Sequence, residues 1–175
     1  MYAGHVGVAL GIRGLRGELP AWALVLAAQG PDWIDVVLMP FIPDGERTAY
    51  WSHSIPSALV AALLLAVVAR VRWRSAAAGT VAALTYLLHL PADYLTGRKP
   101  LWFGGPTIGL SLYSHPRWDF VVEVIVIALG WHLYRRSLPT SRRHHALVWA
   151  LLVGLVLLQA AADHAFAVRN HRGTI

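Results

Sequence analysis

The chain has 175 residues, 57% of them hydrophobic and only 14% charged. Soluble domains carry about 25% charged residues, so this composition excludes a water-facing surface over most of the chain, and the length fits a single domain, residues 1–175. With no cysteine among the residues, disulfides, thiolate zinc sites and cysteine nucleophiles are excluded, and any metal must be held by nitrogen and oxygen.

A net charge of +6 invites a nucleic-acid reading, which needs a continuous basic face. Here the arginines fall in short clusters between apolar runs (Arg70, Arg72, Arg74; then Arg135, Arg136, Arg142, Arg143). That is the loop pattern of a multi-pass membrane protein, and nucleic acid is not an expected partner.

In chain order, a short apolar stretch runs from about Tyr2 to Ile12 and ends in the turn-like Arg13-Gly-Leu-Arg-Gly17. No cleavable signal is evident in it. A second run starts at Pro20, at the position of a first helical turn, and reaches about Met39. Further runs cover roughly Ser54–Val71, Ala76–Leu95, Trp118–Tyr134 and Ala146–Val168. Spans near 20 residues cross the hydrocarbon as helices, because unpaired backbone groups are too costly there. The expected fold is an all-α membrane bundle of five to six transmembrane helices, the first one short.

Nine of the fifteen basic residues lie in segments 13–17, 70–75 and 135–145, which places those segments in the cytoplasm. Trp and Tyr gather near both sets of helix ends, as interfacial aromatics do. The Gly- and Pro-containing segment 96–117 is the largest candidate for a substrate-facing loop.

Six of the nine acids lie within or at the ends of apolar runs: Asp32, Asp35, Asp93, Asp119, Glu123 and Asp163. His5, His53, His89, His115 and His164 accompany them. Ionisable groups in membrane segments are costly and default to functional or paired roles. In the topology above they all gather at the non-cytoplasmic helix ends. His89 and Asp93 are i, i+4 and share a helix face; His115 and Asp119 repeat that spacing, and Glu123 continues the face. Asp32 and Asp35 are i, i+3. Pro31 and Pro91 interrupt their helices. Imidazoles and carboxylates together suit a divalent ion, zinc first and manganese as the alternative. Bland readings stand beside these: a structural His89–Asp93 hydrogen bond, a helix-capping Asp32 or Asp35, Ser54 as an N-cap, and Asp44 and Glu46 as solvated loop acids.

The ordered set Gly4-His5, Pro31-Asp32-x-x-Asp35, His53-Ser54 and His89-x-x-x-Asp93 resembles the YdjM-type predicted membrane-bound metal-dependent hydrolases, a small multi-pass prokaryotic inner-membrane family. The resemblance spans residues 1 to about 125, including Pro116, Asp119 and Glu123. It implies metal ligands at His5, Asp32, Asp35, His53, His89 and Asp93. The chain departs from the family pattern at Pro91-Ala92, where leucines are common, and in its extended 96–117 loop.

The expected activity is metal-dependent hydrolysis of an ester or phosphoester of a membrane lipid or lipid-linked substrate at the non-cytoplasmic face of the inner membrane. A metal-bound water with pKa ~7 supplies the nucleophile. Asp35, Asp119 and Glu123 are the candidate catalytic carboxylates, Asp35 or Asp119 serving as general base. Arg98 and Arg117 are candidates to hold a phosphate. Two rival classes are proton- or metal-linked transport and a non-catalytic membrane subunit stapled by a structural metal.

Overall fold

The computed structural model describes residues 1–41 and 51–172. Asp44, Glu46 and Tyr50 lie outside them. The chain is all-α apart from one small hairpin: α1 Gly4–Leu15, α2 Ala21–Ala28, α3 Gly30–Leu38, α4 Ile55–Trp73, α5 Ala76–Leu87, α6 His89–Thr96, α7 Pro116–Ser137 and α8 Ala146–Arg172, with β1 Lys99–Pro100 and β2 Thr107–Ile108 pairing antiparallel between α6 and α7.

Two of the expected runs are broken helices. The run from Pro20 divides into α2 and α3 at Gln29, and the run from Ala76 divides into α5 and α6 at Leu88. Pro31 and Pro91 lie in the first turns of α3 and α6, where a residue without an N–H removes a helical hydrogen bond and favours a new start. Consequently only Ile55–Trp73 and Ala146–Val168, among the described residues, are single helices long and apolar enough to cross a membrane. Helix α7 is long as well but carries Asp119 and Glu123 inside its first two turns.

The outer surface is apolar. Leu63, Val67 and Val71 on α4 and Leu147, Leu157 and Leu158 on α8 are all more than half exposed. Contiguous apolar surface on this scale is untenable in water and is what a lipid-facing helix presents.

Inside, α1 lies against α7 at backbone contact. A Cβ on Gly7 would stand 2.8 Å from Ile127 Cα, and one on Gly130 would overlap the Gly7 carbonyl oxygen. Small residues that let backbones meet are the usual basis of helix association in lipid. Helices α4 and α5 form an antiparallel pair. Arg74 in the left-handed region (φ 50°) ends α4, and the Ser75 hydroxyl caps α5 by accepting from Ala78 N. Alanines let this pair and α2 close up: Ala28, Ala69, Ala78 and Ala82 form one buried cluster with Leu24. Helix α8 packs on α7 through Leu155 beside Ile127. The breaks at Gln29 and Leu88 place the starts of α3 and α6 near the start of α1.

Candidate metal centre

Four chain segments bring polar side chains together at one end of the bundle: α1, α3, the turn Trp51–His53 and α6. His89 opens α6 and is 1% exposed. Its Nδ1 lies 2.7 Å from the Ala28 carbonyl at the end of α2. A carbonyl only accepts, so Nδ1–H donates to it and Nε2 is turned towards the other side chains of the group. His53 is fixed in the same sense from another direction. Its Nδ1–H is shared between Asp35 Oδ2 at 3.0 Å and Ser52 Oγ at 2.8 Å, while the Ser52 hydroxyl donates to Asp35 Oδ1 at 2.5 Å. The two Nε2 atoms then face each other 3.0 Å apart.

Two carboxylates complete the group. Asp32 Oδ1 lies 3.3 Å from His53 Nε2 and 3.7 Å from His89 Nε2. Asp93 Oδ2 lies 3.2 Å and 3.4 Å from the same two atoms. One ligand atom from each of Asp32, His53, His89 and Asp93 falls within 4.8 Å of every other, an arrangement that can hold a metal ion. Two nitrogens and two oxygens in tetrahedral number suit zinc or a similar divalent ion. The Ala28 carbonyl and the Asp35 carboxylate behind the imidazoles are the partners that metal-bound histidines use to fix their tautomer.

Protons and ammonium groups balance the charge of these carboxylates. Burial alone would lower the His53 pKa. The hydrogen bonds to Asp32, Asp35 and Asp93 outweigh burial and raise it from 6.5 to about 10. Asp93 is ringed by cations and donors. The Met1 amino group lies 2.6 Å and His5 Nε2 3.1 Å from Oδ1, and Lys99 Nζ lies 3.0 Å from Oδ2.

The remaining expected site residues divide clearly by position. His5 stacks on His89 (ring centroids 3.8 Å, 14° between planes) and donates to Asp93, which leaves its Nδ1 buried with no hydrogen-bond partner. It adjoins the group of four and is not one of it. Asp35 stands behind His53. Glu123, fully buried on α7, accepts from the amides of Tyr2 and Gly4 at 2.7 Å each. Those N–H groups sit at the start of α1 and have no helical acceptor, so Glu123 anchors the segment that carries His5. Asp119 is 1% exposed, and neither of its oxygens has a hydrogen-bond partner. It lies on α7 near Asp163 of α8, outside the group of four. Asp163 Oδ1 accepts from Gln159 Nε2 at 2.9 Å. His115 is exposed at the start of α7.

A cavity of about 440 Å³ opens beside the group and is lined by Asp32, Asp93, Arg98, Lys99, Tyr113 and Phe166 among others. Arg98 is held through its Nη2 donation to Thr107 O across the hairpin. Arg117 is exposed on the first turn of α7 and does not line the cavity. The sequence alone does not single out Lys99, Tyr113, Ser52 and Gln159. Lys99 is the single lysine of the chain and lies inside the long loop, which was the available signal. Gln159 and Asp163 are an i, i+4 polar pair that follows the apolar run 146–158 of α8, which marks a buried contact in the same way.

Residues 3–166 match the YdjM inner membrane protein family, and the chain belongs to that family. Neither a curated protein nor a solved structure matches it.

Proposed function

Taking membership of the YdjM inner membrane protein family as the premise, we propose that this protein is a multi-pass metal-dependent hydrolase acting on a phosphoester or ester of a membrane lipid or lipid-linked substrate. The observation that carries this reading is the pair of imidazole Nε2 atoms 3.0 Å apart, flanked by two carboxylates at the wall of a cavity with a cationic rim. In the proposed layout, α1, the broken pairs α2/α3 and α5/α6, α4, α7 and α8 make six passes. The arginine clusters at 70–74 and 135–143 face the cytoplasm, and the metal centre opens on the other side.

Asp32, His53, His89 and Asp93 would hold the ion. A divalent metal bound there supplies Lewis-acid polarisation and a water acidic enough to ionise near neutral pH. Asp35 and the Ala28 carbonyl hold both imidazoles in the tautomer that presents Nε2. Asp32 is the ligand that faces the cavity, its side chain 45% exposed where that of Asp93 is 3%. Lys99 and Arg98 meet the anionic group of the substrate, and charge-assisted hydrogen bonds to phosphate oxygens are the strong kind. The stacked Tyr113 and Phe166 rings, 5.6 Å apart, form an apolar wall for the part of the head group that leads to the lipid.

The test is metal content by elemental mass spectrometry and hydrolysis of phosphatidic acid by the purified protein, with and without chelation. The expected result is one or two tightly held zinc or manganese ions and chelator-sensitive release of phosphate. Bound metal without turnover on lipid phosphates or lipid esters would make the metal structural and overturn the enzyme reading. A second reading, proton-linked transport, draws on buried Asp119 with its unpartnered oxygens. A metal-free protein that moves protons across liposomes would put it first.

A further inference from the structure

A second cavity runs along the bundle from Arg72 towards the elements that carry the metal centre. It measures about 570 Å³ and runs between α2, α3, α4 and α5. Its walls are apolar apart from Arg72 at one end, and Tyr86 lines the other. We propose that this groove holds one acyl chain of an anionic phospholipid whose phosphate rests on Arg72.

Two observations select that occupant. The charged mouth is built as a membrane interface. Arg72 lies over the Trp73 ring at 5.4 Å, and Trp73 pairs with Trp22 at 6.0 Å. Indoles settle at head-group level, and a guanidinium there matches a phosphate in charge and geometry.

The length fits one leaflet. Ala61 and Arg72 both line the groove and are eleven residues apart on α4, about 16 Å at the helical rise. That is about half of the ~30 Å hydrocarbon core.

The closed end of the groove reaches the elements that carry the metal centre. Ile34 lies between Asp32 and Asp35 on α3, and Tyr86 is one turn before His89. A Cβ on Gly30 would overlap the Tyr86 ring, so the glycine is what lets Tyr86 close the groove against α3. A chain lodged here supports α3 from the side facing away from the metal ligands.

The experiment is native mass spectrometry of the full-length protein after exchange with vesicles of equimolar phosphatidylglycerol and phosphatidylethanolamine of distinct mass. Wild type is expected to retain one phosphatidylglycerol per chain, at least about tenfold over phosphatidylethanolamine. Arg72→Gln, on the exposed end of α4, is expected to lose that preference. Arg70→Gln, which does not line the groove, keeps it. Ala61→Phe fills the groove and is expected to lose the retained lipid while keeping the wild-type helical circular dichroism. Equal retention of both lipids, or retention unaffected by Arg72→Gln and Ala61→Phe, overturns the proposal. So does a dimer mass abolished by Ala61→Phe, which would give the groove to a second copy. The readout is lipid mass, so failure of the hydrolase reading leaves this result standing on its own.

Discussion

His53 and His89 point their Nε2 atoms at each other across 3.0 Å, while each spends its Nδ1–H on a fixed acceptor, Asp35 for one and the Ala28 carbonyl for the other. Two imidazole nitrogens at that distance need a proton or a cation between them, and the raised pKa of His53 supplies the proton. The fold therefore enforces a cation-binding geometry before any cation arrives. That is the preorganisation a tight metal site needs.

Replacing either imidazole removes one of four ligands and leaves two carboxylates facing a single nitrogen. His89→Ala and His53→Ala are each expected to lose the bound metal during purification without chelators, while the protein still inserts and elutes as wild type does. Elemental mass spectrometry on both variants checks this. Wild-type metal content in either one would remove that residue from the ligand set.

Asp35 acts one bond further out. Asp35→Asn keeps a hydrogen bond to His53 but removes the anion that strengthens the imidazole as a ligand. Partners of this kind typically contribute 10- to 100-fold in metal affinity. A competition titration with a chromogenic chelator is expected to show a drop of about that size, with the metal stoichiometry unchanged. Loss of stoichiometry would instead make Asp35 a direct ligand.

Much of this centre is readable in the sequence because its geometry is local. His89-x-x-x-Asp93 is a single helical turn, Pro31 and Pro91 announce the breaks that turn α3 and α6 towards the centre, and Ser54 caps α4 as its position before a Pro-containing first turn suggests. What is not readable depends on packing between distant segments. Glu123 sits on the same face as Asp119 and reads as part of the site. Its oxygens go instead to the amides of Tyr2 and Gly4, because Gly7 and Gly130 bring α1 into backbone contact with α7. Lys99 reaches Asp93 because the β1–β2 hairpin folds the long loop back over α6, and no local pattern encodes that.

The pH dependence follows from His53. In the metal-free chain its pKa is raised from 6.5 to about 10. A raised value means that the protonated form stabilises the fold. That contribution is complete below about pH 6.5 and is lost as the pH climbs through about 10. Metal binding requires neutral His53, so the ion must displace this proton. Apparent affinity is expected to rise about tenfold per pH unit across pH 6–8. Titrations in non-coordinating buffers measure it, and an affinity flat over that range would show that His53 is already neutral in the metal-free protein.

The α1–α7 contact is the support on which His5 and the Met1 amino group rest. Gly130→Ala puts a methyl group where the Gly7 carbonyl oxygen already lies. The two helices must move apart, and overpacking of this kind costs about 1–3 kcal/mol. Gly154→Ala on α8 meets nothing within 4 Å and removes a helix-interior glycine, which is favourable by about 0.5–1 kcal/mol. Thermal unfolding of the two variants in the same detergent should therefore shift in opposite directions, with Gly130→Ala melting lower. Glu123 bonds the amides of Tyr2 and Gly4 only while α1 stays against α7. Gly130→Ala should accordingly also weaken metal retention, whereas Gly154→Ala should not. An unchanged melting temperature in Gly130→Ala would mean that α1 does not lie against α7 at backbone contact.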